Sequence, residues 1–60
     1  MNPKTQREWL NTYRAENRKS ITALAADIGI PGHVLRRFID KCTKPAYFNR
    51  IAIEEFIQRN

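Results

Sequence analysis

Apolar residues recur at helical spacing in two adjoining stretches at the centre of the chain. Ile21, Leu24, Ala25 and Ile28 stand at i, i+3, i+4 and i+7, which places them on one face of a 3.6-period helix. After Gly29 the pattern resumes at Leu35, Phe38, Ile39 and Cys42, while the opposite face steps through His33, Arg36, Arg37 and Asp40. The second stretch therefore has one face fit for a core and another that is polar and mostly basic. Gly29 lies where the chain must leave one helix sharply for the next, a turn that needs positive φ and that glycine takes without steric cost.

Flanking segments extend the helical reading. Asn2 followed by Pro3 predicts a helix start, since asparagine can accept from an orphan N–H and proline lacks a donor that would be unpaired there anyway. A first helix over residues 3–16 carries Trp9, Leu10 and Tyr13 on its apolar edge, with Lys4, Arg7, Glu8 and Arg14 facing water. Asn17 tolerates the left-handed conformation that commonly ends a helix. Ser20 is placed to cap the second helix, 21–28, and Ala25 and Ala26 keep that helix slim enough for close approach by a neighbour. Pro31 favours the start of a third helix, 32–41, whereas Gly32 costs it about 1 kcal/mol if fully helical.

Thr43, Lys44 and Pro45 make a loop or the cap of a fourth helix, 45–58. Phe48, Ala52 and Phe56 define one face, with Ile53 and Ile57 beside it and Tyr47 and Ile51 well off it. One face cannot hold so many apolar residues, so Tyr47, Ile51 and Ile57 are candidates for a subunit interface. Strand alternation is weak throughout. The expected fold is all-α: one domain spanning residues 1–60, a compact bundle of about four short helices that contains a helix-turn-helix.

Length and charge narrow the function. A chain of 60 residues buries only about 60% of its unfolded surface, so its core is marginal and dimerisation would help it. Cys42 is the single cysteine, which excludes an intramolecular disulfide and favours a reducing, intracellular setting. Its place on the apolar stripe predicts a small buried hydrophobe. No apolar run approaches the roughly 18–20 residues of a membrane span, and the N-terminal segment lacks the apolar core of a signal peptide. Eleven Lys and Arg against six Asp and Glu give a net charge of +5, which suits a polyanionic partner. Between Pro31 and Arg50 the only acid is Asp40, set among Arg36, Arg37, Lys41, Lys44 and Arg50. One histidine and one cysteine on a core stripe make no nucleophile and base pair, and no His/Cys cluster has metal-ligand spacing, so neither an enzyme nor a metal or other cofactor is expected. Nothing in the pattern calls for a small-molecule ligand or a membrane partner.

Leu24, Ala25, Ile28, Gly29, Ile30, Leu35 and Phe38 resemble the helix-turn-helix of the phage repressor and Cro family. That family places an alanine in its first motif helix, a glycine four residues later in the turn, and apolar residues around them at these intervals. More loosely the resemblance covers the whole chain, since the family also has a helix before the motif and one after it. It implies a sequence-specific regulator of transcription that binds double-stranded DNA with its third helix in the major groove. The regulator would act as a homodimer on a pseudo-palindromic operator, in the cytoplasm of a prokaryotic or phage-infected cell and associated with the nucleoid. Carried over by position, the DNA-facing residues are Gly32, His33, Arg36, Arg37 and Asp40, with Thr22 near a phosphate. The chain departs from the family at Pro31, where a serine or threonine usually caps the recognition helix.

The residue chemistry is compatible with that picture. An arginine can bond bidentately to guanine O6 and N7, and Arg36 and Arg37 lie about 100° apart on a helix, so one suits a base and the other a phosphate. Which does which is open. His33 can meet a base edge or a phosphate, and the missing side chain of Gly32 can let the backbone approach either. Asp40 can accept from cytosine N4 or, four residues after Arg36, orient its guanidinium. Lys41, Lys44 and Arg50 are phosphate candidates, which supply affinity without sequence information. Two alternatives remain. The surplus apolar residues of the fourth helix suit a protein-interaction module, such as an antirepressor or polymerase modulator, and the ending KPAYFNRIAIEEFI faintly resembles excisionase-like architectural factors.

Overall fold

The computed structural model describes all 60 residues and contains four helices and no strand. α1 runs from Pro3 to Glu16, and the Asn2 side chain accepts from the Thr5 N–H at 2.8 Å to cap it. Its end differs from expectation in one detail. Arg18, not Asn17, takes the left-handed conformation, at φ 51°. The N–H groups of Arg18 and Lys19 then reach back to the carbonyls of Ala15 (3.3 Å) and Arg14 (3.0 Å), the paired bonds of a Schellman motif. That motif needs its left-handed residue one position beyond the C-cap, and Asn17 is the C-cap; its side-chain amide instead donates to the Tyr13 carbonyl at 2.8 Å.

α2, Ile21–Ile28, is capped by Ser20, whose hydroxyl accepts from the Ala23 N–H at 3.0 Å. It stops at Gly29, where φ is 92°, and the Ile30 N–H bonds back to the Ala25 carbonyl at 3.0 Å. A Cβ at Gly29 would meet nothing within 4 Å, so its backbone angle, and not lack of space, demands glycine.

α3 spans Gly32–Asp40, one residue shorter than the periodicity suggests. The Lys41 and Thr43 N–H groups both bond to the Arg37 carbonyl, at 2.9 and 3.2 Å, and Cys42 between them turns left-handed at φ 55°. The expectation of a buried Cys42 fails for this reason: the helix ends before it, the projected apolar stripe no longer applies, and the thiol is exposed.

α4 covers Tyr47–Arg59, starting later than expected. Its buried face is Ile53, Phe56 and Ile57. Phe48, which the pattern placed with Ala52 and Phe56, is 83% exposed, because at about 100° per residue it lies some 140° around the helix from Ile53. Ile57 belongs to the core at 9% exposure and is therefore not a free interface residue.

The core takes one fully occluded aliphatic side chain from each helix: Leu10, Leu24, Leu35 and Ile53. Trp9 stacks on Tyr13 with centroids 5.2 Å apart, and both meet the ring of Phe56 edge-on, tying α1 to α4. No helix is long and apolar enough to cross a membrane.

Candidate nucleic-acid interface

α3 presents the most polarised surface of the molecule. Leu35 and Phe38 point into the core, and at about 100° per residue His33, Arg36, Arg37 and Asp40 occupy an arc of about 100° on the opposite side. All four are exposed. Arg36 Nη1 is 3.9 Å from Asp40 Oδ2, with both side chains about half exposed, so the carboxylate steers the guanidinium without neutralising it strongly. Lys41 extends the exposed, charged surface just past the helix end.

The neighbouring elements supply two borders. On one side a Cβ built on Gly32 would lie 3.9 Å from Thr22 Oγ1, so the first turns of α2 and α3 converge and Thr22 stands beside the start of the arginine face. On the other side a cleft of about 180 Å³ opens between α3 and the start of α4, where His33, Arg37, Lys44 and Asn49 meet. Three side chains expected at the interface, His33, Arg37 and Lys44, therefore share one cleft, while Arg36 turns toward Asp40. Asn49 is an addition. Its only sequence signal was a polar residue soon after Lys44 and Pro45, overshadowed by the apolar count of that segment.

Arg50 does not join this cluster. Its guanidinium lies over the Tyr47 ring, 5.6 Å from the centroid, and lines a different cavity. Lys19 is likewise committed elsewhere: Asp27, 2.7 Å away, raises its pKa by hydrogen bonding and by charge.

No family model, curated protein or solved structure matches the chain.

Helix capping separates this region from the rest. α1 and α2 have side-chain caps, whereas α3 begins at Pro31 and α4 at Ala46 without one. The side-chain-uncapped first turns of α3 and α4 flank the His33–Arg37–Lys44 cleft. Of the interface candidates on α4, Tyr47 is 61% exposed and Ile51 is partly buried outside the core cluster. Both sit with Phe48 on the side of α4 facing away from the core, and the Tyr47 and Phe48 rings meet edge-on at 5.5 Å. No group of His, Cys, Asp and Glu side chains is arranged to hold a metal ion.

Proposed function

We propose that the chain is a small helix-turn-helix regulator of the phage repressor and Cro kind, which binds double-stranded DNA sequence-specifically and controls transcription by occupying an operator. The observation that carries this reading is the outer face of α3: four exposed polar residues, three of them His33, Arg36 and Arg37, on a helix whose inner face is anchored by Leu35 and Phe38. Nine residues of helix span about 13.5 Å, a length that lies readily in a major groove about 12 Å wide. Arg36 and Arg37 divide the work, one on a guanine edge and the other on a phosphate. Thr22, Lys41 and Lys44 bind phosphates around them, as do the free N–H groups opening α3.

One protomer, 27 Å in its longest dimension, covers a half-site, so the operator is read by two copies on half-sites about 34 Å apart. Tyr47, Phe48 and Ile51 offer the apolar contact between copies. The same patch favours a second reading, a protein-interaction module such as an antirepressor or polymerase modulator. An excisionase-like role has less support, since the segment from Tyr47 to Arg59 is a helix and no strand is present to form a wing.

Selection of bound duplexes from a random pool tests the proposal. Enrichment of a two-fold symmetric site is expected, with Arg36→Ala or Arg37→Ala relaxing one position at a cost of about 1–3 kcal/mol. A pool that stays random, or a site retained unchanged by both variants, would overturn it.

A further inference from the structure

A second concave site lies apart from the outer face of α3. The start of α1, the end of α3 and the first half of α4 surround a cavity of about 460 Å³. Small-molecule sites are typically about 300–1,000 Å³. The buried side chains of Phe38 and Ile53 form its floor, the more exposed Pro3 and Pro45 its apolar wall, Arg7, Lys44 and Arg50 contribute three cations, and no carboxylate lines it.

The two arginines are preorganised. Neither takes part in the ion pairs of the fold, Lys19–Asp27 and Arg36–Asp40. Each lies over an aromatic ring instead, Arg7 over Phe38 at 5.3 Å and Arg50 over Tyr47 at 5.6 Å. A guanidinium held against a ring keeps its N–H edge available to a planar acceptor. Gln6 also lines the cavity. It is the one buried polar residue of the chain, and its side chain takes no part in the side-chain hydrogen bonds of the fold. Unpaired cations beside an apolar wall form a site for an anion carried on an apolar body.

We infer that this cavity binds a small organic anion, a carboxylate or phosphate on a ring-sized apolar group. The ring packs against Pro3 and Pro45 at the rim, above the floor of Phe38 and Ile53, and Arg7 and Arg50 take the anionic group. Lys44 lines both this cavity and the cleft with His33 and Arg37, so an occupant also bears on the proposed DNA-facing surface. That last consequence rests on the DNA-binding reading; binding of the anion does not.

Cys42 provides the test, because the chain's single thiol is exposed and lines the cavity. Its alkylation by iodoacetamide is followed with phenyl phosphate, benzoate, inorganic phosphate, benzamide or a short DNA duplex present. Phenyl phosphate and benzoate are expected to slow the reaction saturably by at least about fivefold, through occupancy of the site. Inorganic phosphate should act only at much higher concentration, and neutral benzamide should not act. Arg7→Gln and Arg50→Gln, each checked for native circular dichroism, should each weaken the protection by about tenfold. The inference fails if neither aromatic anion protects. It fails equally if benzamide protects as well as benzoate, which removes the charge requirement, or if inorganic phosphate matches phenyl phosphate, which removes the apolar one. Protection by the duplex alone would assign the cations to a nucleic-acid phosphate instead.

Discussion

α3 and α4 bury one face each in the same core and leave the opposite face to solvent, yet the two outer faces differ in kind. That of α3 carries His33, Arg36, Arg37 and Asp40, whereas that of α4 opens with Tyr47, Phe48 and Ile51 and continues to Glu55. An outer face of cations attracts a polyanion over a distance set by salt, and an outer face of aromatic rings gains free energy only when another surface covers it. Neighbouring helices of one small domain thus differ in what they can attract, and the proposed function assigns DNA to α3 and a second protein surface to α4.

Core truncation is the strongest way to break this comparison. Leu35→Ala and Ile53→Ala should each cost about 2–5 kcal/mol in urea denaturation, since both side chains are fully occluded. Phe48→Ala removes more apolar atoms but should change stability by less than about 0.5 kcal/mol. A cost at Phe48 equal to that at Ile53 would mean that α4 is rotated from the orientation described. Sedimentation sharpens the same contrast: Phe48→Ala should weaken self-association, and Arg36→Ala should not.

The helix starts give a smaller effect of opposite sign. Ala46 has extended backbone angles but no side-chain acceptor, so Ala46→Ser should stabilise α4 by about 0.5–1 kcal/mol. Thermal unfolding would show this as a rise of a few degrees, given about 4–8 °C per kcal/mol for a domain of this size. On α3 the smallest change is the most informative about function. Gly32→Ala meets only Thr22 Oγ1 at an ordinary 3.9 Å and should raise stability by up to about 0.5 kcal/mol while lowering DNA affinity. A variant that gains in both would show that the backbone at Gly32 does not approach DNA.

These contrasts also explain what could be read from the sequence. The bounds of α1 and α2 and the caps at Asn2 and Ser20 were legible because local rules act within a few residues. The phase of α3 was legible because its faces differ sharply in polarity. The phase of α4 was not: apolar residues occupy both of its sides, so hydrophobicity alone does not say which side is inward, and Phe48 and Ile57 exchanged their expected places. Cys42 was misplaced because periodicity carries no information past a helix end, and that end is set by the bonds to the Arg37 carbonyl. At the candidate interface, the exposure of His33, Arg36 and Arg37 followed from helical spacing. The grouping of Lys44 and Asn49 with Arg37, and the separation of Arg50 from them, depend on how α4 crosses α3, which no local pattern encodes.

The most direct measurement of the account is a salt series of duplex binding with the selected site, comparing the native chain, the combined Arg36→Ala and Arg37→Ala variant, and Phe48→Ala at concentrations where each is monomeric. The double arginine variant should lose about 1–3 kcal/mol or more of affinity, and its log–log salt dependence should be shallower by about one for the phosphate contact removed. Phe48→Ala should match the native slope. Native affinity and slope in the double arginine variant would contradict the assignment of α3 as the DNA-reading helix.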